Sequence, residues 1–163
     1  MYEKGEYVEK DHEKALKYYT RCAEKGSALG INILAHKYQN GDEEMKLEKN
    51  LQKSFEYYKK GAKMGLTSSF YYLALMYQNG DFVKLDLKKS FKYHLLSAQS
   101  DDNSTYSCYS SYFVGKHYLA GDIVPHNLEK LKKIISLHIF FLFLFKKNYY
   151  QSTRIPPKSS NRR

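Results

Sequence analysis

The residue types that do chemistry are present in this chain but scattered. Six His stand at positions 12, 36, 94, 117, 126 and 138, and no two are three or four residues apart. A helical metal site needs such a pair, so none is supported. Two Cys, Cys22 and Cys108, cannot build a disulfide framework or a four-thiolate zinc site. Cys108 has no basic neighbour within five positions to lower its pKa. No Gly-rich phosphate loop, Gly-x-Ser-x-Gly or His-Glu-x-x-His occurs. With no acid, base or nucleophile cluster, the expectation is a protein that is not an enzyme and takes no cofactor and no metal. What remains is recognition, and recognition depends on the elements that carry the polar and aromatic side chains.

Charge narrows the partner. The net charge is +10 over 163 residues, but residues 131–163 hold 8 Lys+Arg and no acids. The first 130 residues are nearly balanced, with 19 Lys+Arg against 17 Asp+Glu. A basic face across the domain, the footprint of a nucleic-acid binder, is absent, so nucleic acid is excluded as a partner. The first six residues include no apolar run of the secretory type, which points to a cytoplasmic location. Trp is absent while Tyr numbers 17. Each buried Tyr must bring its hydroxyl to water or a partner, which favours thin, layered packing.

The layers are repeats. Leu34-Ala35-His36-Lys37-Tyr38-Gln39-Asn40-Gly41 recurs as Leu73-Ala74-Leu75-Met76-Tyr77-Gln78-Asn79-Gly80 and as Val114-Gly115-Lys116-His117-Tyr118-Leu119-Ala120-Gly121. The chain opens on a fourth copy, Tyr2-Glu3-Lys4-Gly5. Asp11, Asp86 and Asn127 each follow their glycine by 6 residues, and Asn50 by 9, so the second unit has a 3-residue loop insertion. Asp11-His12-Glu13-Lys14-Ala15-Leu16-Lys17-Tyr18-Tyr19 matches the stretches that begin at Asn50 and Asp86. The Asp and Asn residues are helix N-caps. The glycines supply the left-handed residue that stops a helix. Leu34, Ala35 and Tyr38 fall on one helical face, with a small residue where a neighbour comes close.

Each unit is therefore a first helix of about a dozen residues, a glycine turn and a second helix of about fifteen. One pair cannot bury its own apolar face, whereas stacked pairs can. The expected fold is all-α, a right-handed α/α superhelical solenoid with no β-sheet. Residues 1–130 form about three and a half repeats, with units near 1–26, 27–65, 66–106 and 107–130. Within this register His94 fills the aromatic slot of Tyr19 and Tyr58, and Cys22 is a small interior residue in the slot of Gly61 and Ser97. Gly80 recurs in each unit and Gly30 in none, so Gly80→Val should be the more destabilising substitution.

The pattern resembles the Sel-one-like repeat, a relative of the tetratricopeptide repeat. The loop valine stands at Val8, Val83 and Val124, and Tyr18, Tyr57 and Tyr93 occupy the usual Trp position. The loop's second glycine is replaced by Tyr7, Phe82 and Ile123. The resemblance implies a protein-interaction scaffold or adaptor with a protein or peptide partner. Some secreted relatives are Cys-rich and linked to penicillin-type substrates, but their regularly paired cysteines are missing here. In solenoids of this type the first helices line the concave wall. The outward positions are Asn32, His36 and Gln39 in unit two, then Tyr71, Leu75 and Gln78, then Tyr112, Lys116 and Leu119. This strip of amide, aromatic and aliphatic groups with little charge suits a peptide or helical partner. The competing reading is that the Tyr residues only cover neighbouring units.

Three features break the pattern. The connector at Asp101-Asp102-Asn103-Ser104-Thr105 is longer than its counterparts, a polar loop or a helix start. The chain opens inside a unit, consistent with a fragment, a truncated gene or pairing with another subunit. Residues 131–150 carry an apolar run from Ile134 to Phe145, flanked by Lys132-Lys133 and Lys146-Lys147. As helix the run is about 18 Å long, short of about 30 Å of hydrocarbon. Its readings are a capping helix, a membrane-associated segment and non-native read-through sequence. The membrane reading carries the alternative function, an adaptor of the endoplasmic-reticulum protein-degradation type at that membrane. Residues 151–163 have the composition of a basic, disordered tail.

Overall fold

The computed structural model describes Tyr2, Glu3, residues 9–100, Asp102, residues 104–125, Asn127, Glu129 and Lys130. They form six helices: α1 (His12–Glu24), α2 (Ala28–Asn40), α3 (Leu51–Lys63), α4 (Thr67–Asn79), α5 (Leu87–Ala98) and α6 (Thr105–Ala120). Successive helices pack on one another, and α4 also packs on α6. The first helices of the repeat are α2, α4 and α6, and the second helices are α1, α3 and α5. This is an all-α helical repeat fold. Among the described residues the extended pairing is one bridge, Asp42 with Leu47. The second helices have 12 or 13 residues, shorter than the sequence suggested.

The caps form where the residue types require them. Asp11, Asn50 and Asp86 each accept from the amide three residues on at 2.9 Å, satisfying a donor the helix leaves free. Gly80, ending α4, has φ +77°, a left-handed conformation that a Cβ makes costly. Phe82 adopts φ +65° at the place where the repeat pattern has a second glycine. Its ring lies 5.6 Å from Phe55, and that contact offsets part of the strain. The 3-residue insertion is packed rather than idle: Met45 is 4% exposed and Lys10 pairs with Glu44. The long connector resolves into a helix start. Ser104 caps α6, which has 16 residues against 13 in α2 and α4.

The core is distributed between layers. Ala35, Tyr58, Leu73 and Met76 form one cluster, Ala23, Ile31 and Leu34 a second, and Phe91, Val114 and Tyr118 a third. Tyrosines stack in register: Tyr2 on Tyr18, Tyr38 on Tyr57 and Tyr77 on Tyr93, with centroids 5.7, 5.8 and 5.7 Å apart. Buried Tyr58 donates its hydroxyl to Gln39 Oε1 at 2.6 Å, which meets the demand a buried phenol makes.

Two expectations are corrected. Cys22 is exposed, not interior. Its counterparts Gly61 and Ser97 are buried, whereas Cys22 lies on the outermost described helix. Gly30 is buried and its place is tight: a Cβ there would lie 2.7 Å from Ala23 N and 2.8 Å from Cys22 Cβ. A Cβ on Gly80 would find nothing nearer than 3.5 Å. The repeat column hid Gly30 because the fit is pairwise. Cys22 meets Gly30 in one layer and Gly61 meets Ser69 in the next, so the small residue changes sides.

Candidate functional site

The three first helices stand side by side. Ser68 Oγ of α4 donates to Asn32 Oδ1 of α2 at 3.1 Å. Tyr71 of α4 meets Tyr106 and Tyr109 of α6 at 5.4 and 6.3 Å between centroids. A pocket of about 300 Å³ opens on this wall, lined by Glu3, Asn32, Ile33, His36, Lys37, Ser68 and Tyr106.

The charges beside the pocket are neutralised internally. Lys37 Nζ lies 2.7 Å from Glu3 Oε1 and 2.5 Å from Asp42 Oδ2. Burial works against the Lys37 charge, but the two carboxylates outweigh it and hold its pKa above the ordinary value. Lys37 and then the Tyr19 hydroxyl hold Glu3 below the usual carboxylate range. His36 packs edge-on against Tyr72 at 4.4 Å and Tyr58 at 6.0 Å. Burial pushes its pKa down, so it is a neutral imidazole at neutral pH. With its charges paired and its imidazole neutral, the pocket suits uncharged polar groups such as a peptide backbone.

The expected strip divides into three. Asn32 and His36 line the pocket. Gln39 and Gln78 turn inward: Gln39 accepts from Tyr58, and Gln78 Oε1 is buried without a partner. Tyr71 is half-buried against Tyr72, His94, Tyr106 and Tyr109, and that burial raises its hydroxyl pKa. Leu75 is partly buried, and Tyr112, Lys116 and Leu119 are exposed. Tyr112 is 72% exposed and Tyr109, which the strip did not include, 60%. Ile33, Lys37, Ser68 and Tyr106 were also missed. The signal for Tyr109 was available, since it stands three residues before Tyr112 and so shares its face.

His94 does fill the aromatic slot: it is buried, stacks on Phe113 at 4.1 Å and pairs Nδ1 with Ser110 Oγ at 3.1 Å. Cys108 is partly buried, and burial raises its thiol pKa, so it is not an activated nucleophile. Among the described residues no group of His, Cys, Asp and Glu could hold a metal ion. Among them, too, no helix is long and apolar enough to cross a membrane. Residues 131–150 and 151–163 lie outside the described residues.

Comparison with known proteins agrees with this architecture. No curated protein matches the chain in sequence. Among solved structures it is similar to c5321, a protective antigen of uropathogenic Escherichia coli strains displaying an SLR fold, at TM-score 0.67 and 27% identity over 83% of this chain and 27% of that one. It is similar in fold to a Sel1 repeat protein from Oxalobacter formigenes, at TM-score 0.65 and 21% identity over 85% of this chain and 52% of that one. Helicobacter pylori cysteine rich protein B matches at TM-score 0.53 and 25% identity over 82% of this chain and 90% of that one. The chain spans about a quarter of the first of these and about half of the second. Proteins of this repeat generally act in protein–protein interaction and are typically non-enzymatic scaffolds. The Sel1 repeat model matches residues 1–27, 28–66, 71–102 and 108–130, most of the chain, which therefore belongs to the Sel1 repeat family.

Proposed function

We propose that this chain is an adaptor whose first-helix wall holds a peptide or a helix of a partner protein. The observation that supports it is an uncharged aromatic and amide surface continuous across three helices. It runs from Asn32 and His36 in the pocket, past Tyr106, to exposed Tyr109 and Tyr112. Large rings supply contact area at low entropic cost, and amides pair with backbone. Tyr112 and Tyr109 are the free anchors, while Tyr71 braces the wall behind them. Lys116 lies at the edge as a cation for an acidic residue of the partner. The location proposed is cytoplasmic.

The test is affinity capture with the full chain, identification of what binds, then calorimetry on that complex. Tyr112→Ala and Asn32→Ala should each weaken binding about tenfold or more. Replacing Lys17, Glu56 and Lys92, all exposed on second helices, should leave it unchanged. If the triple variant loses affinity while Tyr112→Ala keeps it, recognition lies on the outer face. Capture by neutral phospholipid vesicles through residues 131–150 would favour the membrane-associated adaptor instead.

A further inference from the structure

Helix α6 carries its polarity the wrong way round for a surface helix. Its buried residues are Ser107, Ser110, Ser111, Val114 and Tyr118, so the hydroxyl side chains face inward. Its exposed residues are Thr105, Tyr109, Tyr112, Lys116, Leu119 and Ala120. Tyr109 and Leu119 are 60% exposed and Tyr112 is 72% exposed. Thr105, Tyr109, Tyr112, Lys116 and Leu119 follow one another in steps of four, three, four and three residues. That period is the seam of one helix packed along another: Tyr109 and Lys116 take one of its two alternating positions, and Thr105, Tyr112 and Leu119 take the other. On a helix that only faces water this stripe is polar.

The preceding layer shows what these positions do. In register, Tyr109, Tyr112, Lys116 and Leu119 correspond to Ser68, Tyr71, Leu75 and Gln78 of α4. Ser68 is buried and bonds to Asn32 of α2, and Tyr71 packs on Tyr106 and Tyr109 of α6. Leu75 and Gln78 are partly buried. On α4, then, the stripe is the place where one first helix meets another. On α6 the same stripe is exposed along its length, with three large apolar side chains on it. Lys116 forms no ion pair among the described residues.

We propose that the seam on α6 is closed by α6 of a second copy of the chain, lying antiparallel. This rests on reading the first-helix wall as a contact surface, and it names the occupant of that wall's α6 end. The stripe is complementary to itself. With a two-fold axis beside Val114, Tyr109 of each copy faces Leu119 of the other, and Tyr112 of each faces Lys116 of the other. All four layers are then matched. Two bury apolar against apolar, and two set an ammonium over a ring. The chain already uses that pairing within its layers: Lys53 Nζ lies 5.0 Å from the Tyr38 ring centroid and Lys89 Nζ 5.3 Å from that of Tyr77. A parallel pair would instead set Lys116 against Lys116, a like-charge contact. From Thr105 to Leu119 the seam is about 21 Å long. Such a contact is smaller than the roughly 1,200 Å² of a standard stable interface, so the dimer is reversible, with a dissociation constant on the order of 10–100 μM. A dimer carries two pockets built on Asn32 and His36, and so gathers two partner molecules.

The test is sedimentation velocity of the full chain alone, from micromolar to millimolar concentration. The unaltered chain should pass reversibly from monomer to dimer. Tyr112→Glu and Leu119→Glu should each raise the dissociation constant about tenfold or more, with the urea midpoint of the dilute monomer unchanged. A chain that stays monomeric at millimolar concentration would overturn the proposal, and so would oligomers that persist in both variants. Midpoints lowered by both variants in the dilute monomer overturn it as well, because the seam is then covered within one chain. Orientation is read by mixing Lys116→Glu with the unaltered chain. Antiparallel copies associate less well in the mixture, since a carboxylate meets the Tyr112 ring. A mixture that associates more tightly means parallel helices with opposite charges paired, and overturns the antiparallel seat. Affinity capture separates this proposal from the adaptor reading: a dimer that captures no partner sustains the first without the second, and a monomer that captures one does the reverse.

Discussion

Gly30→Ala separates two forces that pull in opposite directions. Alanine is about 1 kcal/mol better than glycine inside a helix, so propensity alone predicts a more stable protein. The structure predicts the reverse. The new Cβ would lie 2.7 Å from Ala23 N, 2.8 Å from Cys22 Cβ and 3.0 Å from Cys22 C. Two of these atoms are backbone, so no rotamer change relieves the contact. Reaching ordinary separation requires α1 and α2 to part by roughly 0.7 Å, and overpacking of that kind costs about 1–3 kcal/mol. The net expectation for Gly30→Ala is a loss of up to about 2 kcal/mol, and Gly30→Val should lose more. Gly80→Ala should lose a similar amount, about 1–2 kcal/mol, but from its φ of +77° alone. Because each layer touches only its neighbours, the damage should concentrate in α1. Urea unfolding gives the total, and hydrogen exchange across residues 12–24 gives its place. A stabilised Gly30→Ala protein would refute the tight α1–α2 contact. A coupled rescue is also expected: Cys22→Gly should recover part of the loss of Gly30→Ser, since that pair copies Gly61 and Ser69.

Stability should fall as pH drops from 6.5 towards 4. Burial, with the His117 charge second, holds His94 at about 4 in the fold, so below 6.5 the unfolded chain takes up a proton that the folded chain refuses. The loss should approach about 3 kcal/mol near pH 4, with His36 adding in the same direction, and His94→Phe should flatten the profile of urea midpoints between pH 6.5 and 4.5. Ser54 and Ser90 share one repeat position but differ in partners: Ser54 Oγ donates to the Ala35 carbonyl at 2.9 Å, while Ser90 Oγ is buried without a partner. Ser54→Ala should cost about 1 kcal/mol and Ser90→Ala should cost nothing or stabilise, so equal urea midpoints for the two variants would refute the assignment.

The fold was legible because its determinants repeat. A cap, a stopping glycine and an apolar face each have one chemical solution, and agreement between units fixes the register. Asp11, Asn50 and Asp86 were read as caps and hold the same 2.9 Å bond. Cys22 and Gly30 were misread for the complementary reason. Close packing constrains the sum of two facing side chains, not either one, so a column-by-column reading takes Cys22 for one more small interior residue and sees in Gly30 a glycine that recurs nowhere. Phe82 shows another limit: residue type argued against a left-handed backbone, and the ring of Phe55 makes it tolerable.

The candidate surface follows the opposite logic. Tyr71 and Tyr112 are the same residue at the same repeat position, yet one is walled in by Tyr106 and Tyr109 and the other is 72% exposed. Their difference comes from what stands next in the stack, which no single unit encodes. The positions that keep their chemistry, Leu34 with Leu73 and Val114 or Tyr38 with Tyr77 and Tyr118, hold the layers together. The positions that change theirs, Asn32 to Tyr71 to Tyr112 and His36 to Leu75 to Lys116, face the wall where a partner would lie. Packing limits such drift in the core, where His94 replaces Tyr58 but still fills an aromatic slot, and the first-helix wall has more freedom to vary. Uniform positions carry the architecture, and the varied ones on the first helices are where specificity for one partner can be built without disturbing it.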